Sequence, residues 1–147
     1  MSTEDHVSRP PELLRLPGFA LAHLGRVVRG AIRAAFVDHG LASQAHFVLA
    51  CLDEYGTQSQ RELADRLAMD RSDLTKLVDK LEQAGEVRRE PDPKDRRRYQ
   101  LSITRSGKTT LKRGIQIMDE ATNEVLAGLT TQERAALEQL VLRALDG

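Results

Sequence analysis

The chain has no tryptophan, a single cysteine and only 3% aromatic residues among its 147. One cysteine, Cys51, excludes an intramolecular disulfide framework and a cysteine-built zinc site. His6, His23, His39 and His46 are scattered without metal-ligand spacing, so neither a metal nor another cofactor is expected. No apolar run approaches the roughly 18 residues that a membrane span needs. The opening stretch "MSTEDHVSRPPELLRLPG" is acidic and proline-containing, and it lacks the basic-then-apolar order of a secretion signal. A cytoplasmic protein with an N-terminal arm is the expectation. There is no phosphate-binding glycine loop, no dinucleotide fingerprint and no nucleophile elbow. Cys51 sits in "HFVLACL", beside Val48 and Leu52, where a buried thiol without a helpful base is expected. An enzyme is therefore not the expected class.

Net charge is also missing, but the charges are not evenly spread. Residues 86–113 hold ten Lys/Arg against four Asp/Glu, while 114–147 hold two against six. A polyanion would meet that basic segment whatever the total.

Apolar residues then set the architecture. In 18–38, Phe19, Leu24, Val27, Val28, Ile32 and Phe36 recur at helical spacing, and Gly40 stands where a helix would close. Ser43 is placed to cap a second helix ending at Gly56. Ser59 and Glu62 form a capping box for a short third helix. Asp70 can cap a fourth, on which Leu74, Leu77, Val78 and Leu81 make one apolar face. The tight break at "AMDRS" makes these two a helix-turn-helix. Gly85 ends the fourth helix, and the period switches: "RYQLSIT" alternates, with Tyr99, Leu101 and Ile103 on one face. Val87 starts the partner strand, and Pro91 and Pro93 fall in the connection. Two more helices follow. One carries Leu111, Ile115, Met118, Val125 and Leu126; the other opens on a Thr130/Glu133 capping box and is expected to bury Leu137, Leu140, Val141, Leu142 and Leu145. The fold class is mainly α with a small β-hairpin wing: a winged helix-turn-helix lobe over 43–105, terminal helices at 18–40 and 106–147, and an arm at 1–17, all one domain.

This order answers for the basic segment. An α-helix fits the major groove of DNA, and side chains in its first turns reach base edges. Arg71, Ser72, Asp73 and Thr75 occupy those turns; Arg71 suits guanine, Asp73 a cytosine amine, Thr75 a thymine methyl or a phosphate, and Lys76 and Lys80 phosphates. Ser59 and Gln60 open the preceding helix and are further candidates. The hairpin tip holds Lys94, Asp95, Arg96, Arg97 and Arg98. Arg97 is expected in the neighbouring minor groove, with Asp95 bracing its guanidinium.

The stretch "DLTKLVDKLEQAGEVRREPDPKDRRRYQLSITRSG" resembles the signature region of the MarR family of bacterial transcriptional regulators. The likeness is carried by Leu74-Thr75, Leu77–Leu81, Gly85, Val87, Arg88-Arg89, the wing pair Asp95 and Arg97, and the closing Leu101-x-Ile103-Thr104-x-x-Gly107. It implies a homodimer on a palindromic operator, a repressor more than an activator, loosened from double-stranded DNA by a small phenolic or other amphipathic aromatic ligand. Leu13, Leu14 and Leu16 independently call for a partner surface. Two copies would set their recognition helices roughly 34 Å apart. His23, Arg26 and His46 are polar groups on apolar helices that could meet a ligand anion, or could equally be satisfied locally. Two rivals stand beside this reading: a winged-helix protein-interaction module without DNA binding, and a redox-sensing regulator acting through Cys51.

Overall fold

Capping chemistry sets most element boundaries in the computed structural model, which describes residues 10–147. The first nine residues of the expected arm, His6 among them, lie outside the described residues. A short helix α1 (Pro11–Leu14) precedes α2 (Pro17–Asp38). α2 closes in a Schellman turn: Gly40, at φ 68°, donates to the Val37 carbonyl and Leu41 donates to that of Phe36. α3 (Ser43–Tyr55) ends at Gly56, with φ 75°. Ser43 is not its cap. Ala42 holds an extended conformation and accepts the first helical hydrogen bond, from His46 N–H, so Ser43 already lies inside the helix.

α4 (Gln60–Leu67) carries the expected capping box, with Ser59 Oγ accepting from Glu62 N–H and the Glu62 carboxylate accepting from Ser59 N–H. The turn after it is held by Ala68 in the left-handed region, φ 50°. α5 (Arg71–Gln83) starts from Asp70, whose carboxylate accepts from the N–H groups of Ser72 and Asp73. Gly85, at φ 73°, ends it with a second Schellman turn, donating to Glu82 while Glu86 donates to Leu81.

The sheet begins with a strand that no sequence period announces, β1 (Gln58–Ser59), placed before α4. The two expected strands are β2 (Val87–Pro91) and β3 (Tyr99–Ile103), paired antiparallel from Val87 opposite Ile103 to Pro91 opposite Tyr99. Pro91 ends β2, where the strand is at the sheet edge and a missing N–H is tolerated. β1 pairs with the other side of β3, giving the order β1-β3-β2. Buried Gln58 secures it: its amide donates to the carbonyls of Cys51 and Gly56, and its oxygen accepts from Arg66 Nε.

α6 (Arg105–Val125) shows why the Thr104-x-x-Gly107 pattern exists. Thr104 Oγ1 donates to the Gly85 carbonyl and accepts from Gly107 N–H. A Cβ on Gly107 would overlap the Glu86 carbonyl and Ile103, so the helix can start there only with glycine. The buried positions on α6 are Gly107, Leu111, Gly114, Ile117 and Ala121. Ile115, expected on that face, is 47% exposed, because it stands about 100° round the helix from Gly114, at the edge of the stripe that continues to Ile117 and Ala121. The last helix is α7 (Thr131–Asp146), opened by the Thr130/Glu133 capping box.

The chain groups into two units. One runs from Ala35 to Asp119 and holds a closed core of Val48, Leu49, Leu52, Leu63, Leu74, Val78 and Leu101. The other comprises, among the described residues, 10–34 together with Glu120–Gly147. Here α7 has no buried residue. The expected burial of Leu140, Val141, Leu142 and Leu145 does not occur within one chain; all four are exposed, since none of the described residues covers that face, and Leu137 is half-buried.

Candidate nucleic-acid interface

α5 presents its first turn outward because its apolar face is committed to the core. Leu74, Val78 and Leu81 are buried, while Arg71, Ser72, Asp73 and Lys76 are exposed. The Asp70 cap fixes where this turn begins. The Ser72 hydroxyl, then the Ser72 and Asp73 N–H groups, hold the Asp70 carboxyl below the usual carboxylate range. Ser72 thus commits its hydroxyl proton to the cap, at 2.6 Å. Thr75 is similarly engaged: its hydroxyl donates to the Arg71 carbonyl at 2.8 Å and accepts from Gln60 Nε2. What Thr75 retains is its methyl group, so the phosphate contact suggested by its hydroxyl is not open to it.

Lys80 stands apart from these residues. It lines a cavity of ≈ 250 Å³ with Leu41, Leu49, Leu77, Leu81 and His46. His46 is 6% exposed, its ring 5.5 Å from that of Phe36 and set into the notch that Gly114 leaves. Burial pushes its pKa below the ordinary histidine value. His23 and Arg26 do not line this cavity; they belong to the unit that includes α7. His23 Nδ1 is buried without a hydrogen-bond partner among the described residues.

The wing tip is built by two aspartates. Asp92 Oδ1 accepts from Lys94 N–H at 2.9 Å, and Asp95 Oδ1 accepts from Arg97 N–H at 3.0 Å. Asp95 Oδ2 lies 3.7 Å from Arg98 Nε. The expected brace between Asp95 and the Arg97 guanidinium is therefore replaced by a turn. A carboxylate two residues before an N–H closes on the backbone more readily than on a long side chain. Below the tip, half-buried Arg89 ties β2 to α5, 2.9 Å from Asp79 and 3.7 Å from Glu82, with the Tyr99 ring 5.8 Å away. Asp79 faces the wing strand for this reason.

Between α4, the start of α5 and the wing lies a hollow of ≈ 330 Å³ lined by Ser59, Gln60, Arg61, Arg71, Arg97, Arg98 and Tyr99. It brings together predicted residues from the preceding helix, the recognition helix and the wing. Lys94 and Arg96 are exposed and outside it. Arg61 and Tyr99 are the members that sequence reasoning missed; the signal for Arg61 is a cation in the first turn of the helix before the recognition helix, one residue past Gln60, and Tyr99 reads only as a strand residue. Cys51 is 7% exposed, with Gln58 Nε2 3.9 Å from its sulfur, which fits a packed thiol. Among the described residues, no group of three or more His, Cys, Asp or Glu could hold a metal ion, and no helix is long and apolar enough to cross a membrane.

Fold and basic face together define a winged helix-turn-helix protein. The model of the MarR family matches residues 41–99, from the start of α3 to the wing. YxaD of Bacillus subtilis, an uncharacterized HTH-type transcriptional regulator, is 31% identical over 76% of this chain and 82% of its own length. YcgE of the same organism, described in the same words, is 33% identical over 65% of this chain, and the match spans 62% of YcgE. MarR from E. coli has the same fold: its apo form superposes with a TM-score of 0.78 at 23% identity, covering 88% of this chain and 96% of MarR. A mutant of MarR complexed with operator DNA gives 0.64 at 24% identity, covering 91% and 96%. The chain belongs to the MarR family of transcriptional regulators, a family that is not one of enzymes.

Proposed function

We propose that this protein is a cytoplasmic, ligand-responsive repressor that binds a palindromic operator in double-stranded DNA as a homodimer. The observation that carries the reading is the common hollow of Arg71, which opens the recognition helix, and Arg97 and Arg98, which belong to the wing. A single-sign concavity joining these two elements suits a helix in the major groove and a wing at the adjacent minor groove. Asp73 and the Thr75 methyl then face base edges, and Lys76 a phosphate. The MarR complex with operator DNA supports the same use of the fold. The exposed apolar residues of α7 support joining two copies through the terminal helices at 18–40 and 106–147. The ≈ 250 Å³ cavity supports a small amphipathic acid as effector: Leu41, Leu49, Leu77 and Leu81 offer apolar surface, and Lys80 a cation. Because Leu77, Lys80 and Leu81 belong to α5, occupancy would act directly on the recognition helix.

The test is selection of bound duplexes from a random pool, followed by titration at several salt concentrations. A palindromic consensus bound by two chains is the expected result. Equal affinity for all duplexes, or no retardation at low salt, would contradict the proposal and favour a protein-interaction module.

A further inference from the structure

We infer that the four-arginine hollow is a seat for one backbone phosphate, held by Arg61 and Arg71 from the helix-turn-helix and by Arg98 from the wing. The inference rests on the DNA-binding reading above and adds to it a contact, a chemical group and a new residue, Arg61.

The chain has as many Asp and Glu as Lys and Arg, 22 of each. Arginines just outside the hollow use them: Arg88 pairs with Glu90, and Arg89 with Asp79 and Glu82. Inside it, the guanidinium groups of Arg61, Arg71 and Arg97 have no ion-pair or hydrogen-bond partner among the described residues, and no Asp or Glu lines the walls. Arg98 has one exposed partner, Asp95, at 3.7 Å. Four like charges from three elements repel one another in the free protein, and an anion relieves that repulsion.

The lining also selects the anion. Ser59 Oγ accepts in the capping box and Gln60 Nε2 gives one proton to Thr75, so each keeps one neutral donor beside the Tyr99 hydroxyl, and every charged donor of the lining is a guanidinium group. Their planar forks match the two non-bridging oxygens of a phosphodiester better than a point charge would. Position agrees with chemistry. When α5 lies in the major groove and the wing at the minor groove, the DNA strand that separates the grooves must pass between them. The hollow is where Arg71 of the helix meets Arg97 and Arg98 of the wing. Arg71 accordingly moves from reading bases to positioning the protein, and base discrimination falls to Asp73 and the Thr75 methyl. Arg97, the wing-tip member, remains for the minor groove.

The test replaces single phosphates by neutral methylphosphonate along a duplex selected by the parent protein. One position and its symmetry mate should weaken the parent about tenfold. The same replacement should not weaken Arg61→Ala or Arg71→Ala further, and Arg61→Lys should keep part of the sensitivity. Arg61→Ala should lower the log–log salt slope by about one for each phosphate it no longer neutralises, without changing the selected consensus. Arg61 is exposed, so the variant should keep the parent's circular dichroism and mass in solution. Identical methylphosphonate profiles for parent and Arg61→Ala would overturn the seat while leaving DNA binding intact. A changed consensus for Arg71→Ala would return that residue to base reading and overturn its place in the seat. Capture of inorganic phosphate by the free protein, with no sensitive position in the scan, would assign the hollow to a free anion and overturn the inference. Failure of the parent to bind any duplex would remove the function and the seat together.

Discussion

α5 and α7 are amphipathic helices of 13 and 16 residues with opposite fates. On α5, Leu74 and Val78 are fully buried; on α7, Leu142 is 53% and Leu145 77% exposed. Both carry apolar residues at helical spacing. That pattern states that a face is to be covered, and it does not state by what. For α5 the cover comes from α3, α4 and β3, whose Leu49, Leu52, Leu63 and Leu101 join one core with Leu74 and Val78. For α7 it does not come from the described residues of the same chain. The winged lobe thus completes its core alone, while α7 carries an apolar face that the described residues leave exposed.

Truncating the closed core should have the largest effect on stability. Leu74→Ala removes a fully buried side chain from a packed site and should cost about 2.7–5 kcal/mol in urea unfolding. A loss below about 1 kcal/mol would mean that the lobe is loosely packed and that the contrast with α7 is one of degree. The open face should respond in a different observable. Leu142→Glu with Leu145→Glu should weaken self-association by at least about a hundredfold, or ~2.8 kcal/mol, in sedimentation at micromolar concentration. A double variant that stays dimeric at the parent's concentration would show that α7 is not the joining face.

What could be read from the sequence was mostly local. The caps at Asp70, Ser59/Glu62 and Thr130/Glu133 follow from side chains that reach an N–H two or three residues on, and the structure contains all three. The wing followed from a change of period. Features set by distant parts of the chain were not readable. β1 has two residues, too few for any period, and it exists because Gln58 finds acceptors at Cys51 and Gly56. The choice of Ile117 over Ile115 on α6 depends on where the line through Gly107 and Gly114 faces. In the interface, the residue types were legible but their partners were not. Asp95 holds the Arg97 N–H instead of its guanidinium, Thr75 is bonded to Gln60, and Arg61 enters only because α4 brings it beside Arg71.

The smallest expected effect sharpens the view of the lobe as self-contained. Helix ends in this chain use residues at positive φ: Gly40, Gly56, Gly85 and Ala68. Ala68 is the non-glycine among them, at φ 50° and ψ 42°, in the turn that sets α5 against α4. Its N–H donates to Asp65 and that of Met69 to Ala64, so the conformation is locked by hydrogen bonds despite the Cβ. Holding an L-residue there costs about 1–2 kcal/mol. Glycine removes that strain but gives back about 0.5–1 kcal/mol through the greater freedom of the unfolded chain. Ala68→Gly should therefore raise stability by about 0.5 kcal/mol, with Gly85→Ala the opposite case, destabilising by about 1 kcal/mol. Both are read from urea midpoints, with self-association measured in parallel and expected to stay at the parent's value. If Ala68→Gly instead lowers stability, the alanine side chain contributes packing that the turn's geometry does not reveal. If it shifts the association midpoint, the lobe and the joining helices are energetically one body, and the contrast between α5 and α7 does not describe two separate cores.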